Sequence, residues 1–270
     1  MLSSRPRMKG SAAVQGELWS GRAKDWADIQ EVMVAPLYRA VLVKARVGSK
    51  TKLLDIGCGA GMFCALSSEA GAIISGLDAA RALVTIAQER SPYSDFRVGE
   101  MEDLPYSDKS FDRVTGLNSF QCAADPLNAL QEARRVARVG AQVVTATWGL
   151  RQNCQAAAYV IALGSLLSLA PPGTRDPFAL SEDGTLVALV KQAGLTPIYM
   201  DDVECVWNYP DLETALRGLL SAGPAIKAIQ TSGEQNVREA VTHAIAPFEQ
   251  TAGGYQLKNQ FRYVIAMRLQ

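Results

Sequence analysis

The run Leu53-Leu54-Asp55-Ile56-Gly57-Cys58-Gly59-Ala60-Gly61 decides how the rest of the chain is interpreted. Its first four residues are typical of a short buried strand, and the glycines that follow predict a sharp turn into a helix. Because glycine has no Cβ, a ligand can lie against such a turn and meet its backbone N–H groups. We therefore expect a binding site at this turn, where the carboxyl ends of parallel strands lie.

Two features of this turn indicate the charge of the ligand. Met62 stands where the dinucleotide pattern G-x-G-x-x-G needs its third glycine. Asp55 precedes Gly57 by two residues and places a carboxylate under the turn. Such a carboxylate repels a pyrophosphate and attracts a cation. An NAD(P)-dependent dehydrogenase is therefore disfavoured.

Strands and helices alternate on the carboxyl side of the turn, which indicates βαβ units and a mostly parallel sheet. The expected strands cover residues 53–56, 72–77, 96–98, 111–117, 142–147, 198–207 and 261–267, and the expected helices include 60–69, 79–89 and 126–139. The flanks differ from this core. Residues 1–16 are rich in Ser, Arg and Gly and are expected to be disordered. Residues 17–50 are expected to form a helical lid, and about 150–195 to form an insertion that shapes the substrate pocket of a domain spanning 51–270.

Polar residues follow the strands on the expected ligand side of the sheet. Asp78 ends the second strand, where an acid can reach a ribose diol, and it can also cap a helix. Glu100 and Glu102 follow the third strand, where they can meet a base or form a solvated acidic loop. Asn118 and Gln121 follow the fourth strand.

The segment from Leu53 to Trp148 resembles the class I S-adenosylmethionine (SAM)-dependent methyltransferases of the ubiquinone/menaquinone-biosynthesis type, the methyltransferase type 11 group. Residues 104–112 (LPYSDKSFD) are similar to that family's L-P-F-x-D-x-S-F-D signature. Residues 133–140 (ARRVARVG) are similar to its R-V-L-R-P-G-G segment, with Val139 and Ala141 in place of the usual Pro and second Gly. Glu100 stands where the family usually has Asp.

The resemblance implies a Rossmann-like α/β sandwich with a seven-stranded, mostly parallel sheet, and SAM as cofactor. The residues expected at the cofactor are Asp55, Gly57, Cys58, Gly59, Asp78, Ala79, Glu100, Met101, Glu102 and Asn118. The residues expected at the substrate are Trp19, Trp26, Gln30, Tyr38, Gln121, Trp148 and Phe178. For the three tryptophans, ordinary core packing is the competing interpretation.

The expected reaction is transfer of the SAM methyl group to an O, N or C atom of an uncharged, partly apolar small molecule, with secondary metabolism as one setting. No catalytic base is assigned. The single histidine, His243, is the candidate, but its helical neighbours Ala240 and Ala244 indicate packing. One alternative is a non-catalytic SAM-binding module. Another is a nucleic-acid methyltransferase, which Ser119-Phe120-Gln121 after Asn118 disfavours because Pro-Pro-aromatic is usual there.

Composition excludes other classes. Lys plus Arg and Asp plus Glu are both 27, and this zero net charge argues against a nucleic-acid partner. Five cysteines without a C-x-x-C pair and one histidine predict no metal site. No apolar stretch is long enough to span a membrane, and the first residues do not read as a signal peptide. We expect a cytoplasmic protein with a small-molecule partner, as a monomer or homodimer.

Overall fold

The computed structural model describes residues 10–167, 176–182 and 184–270, and its strands form a seven-stranded sheet. The strands are β1 (Lys52–Ile56), β2 (Ile73–Asp78), β3 (Asp95–Val98), β4 (Phe111–Leu117), β5 (Ala137–Trp148), β6 (Thr196–Tyr209) and β7 (Tyr255–Met267). Their order is β3-β2-β1-β4-β5-β7-β6. The first five strands pair in parallel, and β7 runs antiparallel to both β5 and β6. The predicted mostly parallel α/β sheet is confirmed.

Helices cover both faces of this sheet. They are α1 (Ala12–Ser20), α2 (Ala23–Asp25), α3 (Ala35–Lys44), α4 (Met62–Glu69), α5 (Arg81–Arg90), α6 (Pro126–Val136), α7 (Ala157–Ser165), α8 (Thr185–Gln192), α9 (Leu212–Leu219), α10 (Gly223–Ser232) and α11 (Glu234–Ile245). Residues 53–56 of β1 are all buried, as expected for a strand covered on both faces. Leu53 and Leu54 pack into different core clusters because neighbouring side chains point to opposite faces.

The N-terminal segment lies across the carboxyl ends of the strands. From α2 the chain continues through a π-helical turn, Trp26–Gln30, and a 3-10 turn, Glu31–Val34, into α3. The expected disorder to residue 16 differs from the structure, because α1 begins at Ala12. A Cβ added to Gly16 would lie 2.5 Å from the Ala79 carbonyl oxygen, so the packing of α1 depends on that glycine. Residues 1–9 of the stretch expected to be disordered, and residues 168–175 and 183 of the expected insertion, lie outside the described residues.

The helices α7, α9, α10 and α11 pack against one another in a helical layer. Of these four helices, only α7 falls within the expected insertion at 150–195. The helix α10 was not among the helices expected from the sequence. It contains a proline in its first turn, where proline is compatible with a helix. In the part of the chain that is described, no helix combines the length and apolar character needed to cross a membrane.

Candidate active site

A cavity of about 880 Å³, measured with its open mouth, lies where β1, β2 and β4 end and the N-terminal segment passes above them. The residues lining it are Ser11, Ala12, Gln15, Trp19, Trp26, Glu31, Val34, Tyr38, Asp55, Gly57, Cys58, Gly59, Leu77, Asp78, Ala79, Leu83, Gly99, Glu100, Met101, Leu117, Asn118, Ser119 and Cys122.

Bare backbone forms the floor of this cavity at the glycine turn. Gly57 and Gly61 have φ of +71° and +81°, in the left-handed region that disfavours side chains. A Cβ on Gly57 would lie 2.4 Å from the Ser119 Cβ, and one on Gly61 would lie 2.8 Å from the Ala87 Cβ. The close packing of β1, β4 and α5 around the turn therefore requires glycine, and it leaves the backbone accessible from the cavity.

Asp55 is a buried carboxyl beneath this turn. It is 3% exposed and accepts a hydrogen bond of 2.6 Å from the Thr115 hydroxyl at its Oδ1. Burial raises its pKa to about 7, and the charges of Asp78 and Glu31 add to the increase. A cation placed beside Asp55 would reverse this effect and favour the ionised carboxylate.

Asp78, at the end of β2, links the glycine turn to the segment that leads into α5. Its Oδ2 accepts from the Gly59 N–H at 2.9 Å, and its Oδ1 accepts from the Ala80 N–H at 2.8 Å. Each carboxylate oxygen has a second lone pair, so both can also accept from a ligand hydroxyl. Ala80 is the N-cap residue of α5 and no side chain caps the helix, so Asp78 orders the turn before α5 and does not cap it.

Glu100 connects the far end of the cavity to α1. Its Oε2 accepts from the backbone N–H of Ala12, the first residue of α1, at 2.7 Å, and its Oε1 accepts from the Glu102 N–H at 3.1 Å. The free N–H groups at a helix start favour a negative partner. Glu100 therefore holds the N-terminal segment down over the site.

At the opposite end of the cavity, Arg90 ties the N-terminal segment to the glycine turn. Its guanidinium bonds the Glu31 carboxylate, the Ala60 carbonyl at 3.0 Å and the Ala27 carbonyl at 2.8 Å. Burial raises the pKa of Glu31, and the charge of Arg90 acts against that rise. The segment is thus held at both ends of the cavity.

The electrostatic character of the cavity is acidic. Four carboxyl groups line it, those of Glu31, Asp55, Asp78 and Glu100, and none of the described lining residues is Lys, Arg or His. A cationic or zwitterionic ligand is therefore favoured over an anionic one.

Comparison with known proteins identifies the ligand class. Residues 54–145 match a family model described as a methyltransferase domain. The chain is 31% identical over 186 residues to the malonyl-[acyl-carrier protein] O-methyltransferase of Erwinia pyrifoliae, covering 68% of this chain and 66% of that protein. It is also 31% identical over 175 residues to the ubiquinone biosynthesis O-methyltransferase of Cereibacter sphaeroides, covering 61% of this chain and 70% of that protein.

The chain belongs to the SAM-dependent methyltransferases. Solved structures support the same fold. The geranyl diphosphate C-methyltransferase of Streptomyces coelicolor A3(2), solved with S-adenosylhomocysteine (SAH), aligns with a TM-score of 0.52 at 14% identity, covering 98% of this chain and 100% of that chain. The [4+2]-cyclase SpnF aligns with a TM-score of 0.54 at 18% identity, covering 86% and 80%. At these identities the likeness is one of fold alone.

SAM is the cofactor of this methyltransferase, and its cavity fits the chemistry of SAM. The nucleoside of SAM needs acceptors for its hydroxyl groups, and the Asp78 carboxylate in the lining is such an acceptor. The sulfonium and ammonium need negative surroundings, which the four carboxyl groups supply. Trp26 adds a buried indole N–H with no hydrogen-bond partner among the described residues. A ligand with acceptor atoms at that point would satisfy it.

The cavity brings together most of the residues predicted from the sequence. Those that line it are Asp55, Gly57, Cys58, Gly59, Asp78, Ala79, Glu100, Met101, Asn118, Trp19, Trp26 and Tyr38. Asn118 has φ of +61°, a conformation that asparagine tolerates better than most residues. This turn directs the chain back over the end of β4.

Five predicted site residues lie outside the described lining, each for a visible reason. The Glu102 carboxylate accepts from the backbone N–H groups of Ala124 and Asp125, which orders the loop before α6. The Gln30 Oε1 accepts from the Tyr209 hydroxyl at 2.7 Å. Three further side chains are engaged elsewhere: Gln121 Nε2 donates to Asn118 Oδ1 at 2.5 Å, and Trp148 packs against Phe178 with ring centroids 5.3 Å apart.

Sequence reasoning placed Trp19 and Trp26 at the site but missed the start of α1 and Glu31. Ser11, Ala12 and Gln15 fall in the stretch that was expected to be disordered, and Glu31 was not singled out. The helix formers after Ser11 are a signal that could have indicated α1. The position of Glu31 depends on the π-helical turn before it, for which no sequence signal was available.

Strong bases are scarce at the site. His243 is exposed on α11 and does not line the cavity. Burial raises the pKa of Tyr38, and it raises the pKa of Cys122 to about 12, so both groups are protonated at neutral pH. No cluster of His, Cys, Asp and Glu suited to a metal ion occurs among the described residues.

Proposed function

We propose that this methyltransferase transfers the methyl group of SAM to an uncharged small molecule held beside the end of β4. The observation that carries the proposal is the roofed cavity, which has four carboxyl groups and no described cationic side chain in its lining. SAM supplies a methyl group already activated by its sulfonium. The chain then contributes mainly binding, alignment and exclusion of water.

The wall on the acceptor side supports a neutral acceptor. Val34, Tyr38 and Leu117 line this side together with Asn118 and Ser119. The Tyr38 hydroxyl is protonated and can donate a hydrogen bond to an acceptor oxygen. An apolar wall with a few polar groups is typical of a site that orients a small organic molecule.

The acidic lining favours some acceptors over others. A carboxylate acceptor would be placed near Glu31 and Asp55 without a described lining cation to balance it, which costs free energy in a buried site. Both curated relatives are named O-methyltransferases, which favours an oxygen acceptor, although the malonyl group named for one of them offers a carboxylate oxygen. The acidic lining is therefore what favours a neutral hydroxyl in this chain, with N and C as the alternatives. Secondary metabolism remains one setting for such a reaction.

The surroundings of the cysteines support a cytoplasmic location for the reaction. Cys58, Cys64, Cys154 and Cys205 are buried free thiols, which is typical of a reducing compartment. We propose that the enzyme works there as a monomer or homodimer without a nucleic-acid partner, in line with its zero net charge.

An acceptor screen tests the proposal. The enzyme is incubated with SAM and matched pairs of aromatic compounds, each pair comprising a neutral phenol and its carboxylate analogue, and release of SAH is measured. We expect turnover with members of the neutral set and at least tenfold less with their carboxylate partners. Preferential turnover of the carboxylates would contradict the acceptor class, and SAH binding without turnover of any neutral acceptor would favour a non-catalytic SAM-binding module.

A further inference from the structure

The π-helical turn of the N-terminal segment brings Trp26 and Glu31 to one side of the chain. The Glu31 N–H donates to the Trp26 carbonyl, which is the i→i+5 pairing of a π turn. In a regular α-helix, residues five apart point about 140° away from each other. Here both side chains reach the same point above the glycine turn. A Cβ added to Gly59 would lie 3.3 Å from Glu31 Oε1 and 3.5 Å from Trp26 Nε1.

The two groups that meet above Gly59 differ in hydrogen-bonding character. The Trp26 Nε1–H is a donor, sealed from solvent and without a partner among the described residues. The Glu31 Oε2 bonds Arg90, whereas its Oε1 accepts a long bond of 3.4 Å from the Met62 N–H. One free donor and one available charged acceptor therefore face the same part of the cavity.

The surroundings hold this pair in place. Trp26 packs edge-on against Trp19, with ring centroids 4.8 Å apart, and the Trp19 Nε1 is satisfied by Gln15 at 3.1 Å. Arg90 fixes Glu31 and also bonds the Ala27 carbonyl between the two residues. The donor and the acceptor are thus positioned before a ligand arrives, which lowers the entropy cost of binding.

We propose that Trp26 and Glu31 recognise the zwitterionic amino-acid end of SAM, with the Trp26 indole donating to the carboxylate and Glu31 accepting from the ammonium. This assignment rests on the proposed function, since it requires SAM in the cavity. Both contacts come from the N-terminal segment, Trp26 from the π-helical turn and Glu31 from the residue that follows it, so this segment recognises the amino-acid end of the cofactor. A ligand that lacks the amino-acid end gains nothing from them.

Calorimetry with three ligands tests each contact separately. SAH carries both charged groups, S-adenosyl-3-thiopropylamine lacks only the carboxylate, and 5′-methylthioadenosine lacks both. We expect Trp26→Phe to weaken SAH binding about tenfold, as for a hydrogen bond to a charged group, and to leave the affinity for the other two ligands unchanged. We expect Glu31→Gln to weaken binding of SAH and of the thiopropylamine alike, with 5′-methylthioadenosine unaffected.

Trp19→Phe is the matched control, because its ring lies in the same aromatic pair but its N–H has a partner within the protein. Because Trp19 lines the cavity through its ring, this variant should change the affinities for the three ligands by the same factor. Equal losses for all three ligands in Trp26→Phe would contradict the proposal, since they would show that the ring acts through packing. An unchanged SAH affinity in either variant would also contradict it. Failure of the wild-type protein to bind SAH would overturn the proposed function instead.

Discussion

Binding of SAH should weaken as the pH falls through about 7, because the ionised Asp55 carboxylate adds to Glu31 in stabilising the ammonium of the ligand. Asp55 lies under the glycine turn, and burial raises its pKa to about 7. The ligand cation favours the carboxylate, so binding releases a proton from the neutral form. The affinity should therefore be highest above the pKa and decrease below it.

The size of the effect follows from the pKa. Below about pH 7, each unit of pH lowers the ionised fraction of Asp55 about tenfold, which corresponds to about 1.4 kcal/mol of binding free energy. Between about pH 8 and pH 6 the dissociation constant for SAH should thus rise by about one order of magnitude. Calorimetry in buffers of different ionisation enthalpy should also detect up to one proton released per SAH bound near pH 6.

Asp55→Asn provides the control for this titration. The amide keeps an oxygen for the Thr115 hydroxyl, but it has no charge to gain. Its SAH affinity should be lower than that of the wild type at pH 8 and should change little down to pH 6. A wild-type affinity that is flat over this range, or a slope that persists in Asp55→Asn, would refute the assignment of Asp55 to the ammonium.

Three further perturbations address other parts of the site. Asp78→Ala should weaken SAM binding by about 1.5–3 kcal/mol in calorimetry, as for hydrogen bonds to a charged group, and an unchanged affinity would remove Asp78 from the ribose site. Ala12→Pro removes the backbone N–H that donates to Glu100, and proline is tolerated in the first turn of a helix. SAH should therefore dissociate at least about fivefold faster from this variant in stopped-flow measurements. Ala13→Pro is its control and should dissociate at the wild-type rate. His243→Ala should lower the turnover rate by less than about tenfold, and a thousandfold loss with SAM binding intact would reveal a missed base.

The order of strands and helices was predictable because each strand carries its own signal. The apolar run at β1, the glycine turn after it and the Val-rich run at β5 are local patterns, and a parallel sheet constrains how they assemble. The strands β6 and β7 are longer than the sequence predicted. Polar residues such as Asn208 and Gln256 extend these strands because they pair with each other across the ladder, which a single-strand pattern does not reveal.

The floor of the site was predictable, whereas its walls and roof were predictable only in part. Gly57, Gly59 and Asp78 lie in the motif itself, so their position followed from the fold. Trp148 lies near the end of its strand as expected, but the sequence does not tell which face its ring covers, and the ring stacks on Phe261 with centroids 4.8 Å apart. Long-range contacts decide such cases.

A crystal structure of the protein with SAH bound would show whether each part of the ligand contacts the wall of the cavity proposed for it. The account predicts the ribose hydroxyls on Asp78, the adenine between Glu100 and the Met101 backbone, the ammonium near Asp55 and Glu31, and the carboxylate at the Trp26 indole. SAH bound outside this cavity, or with its amino-acid end directed away from the glycine turn, would contradict the account.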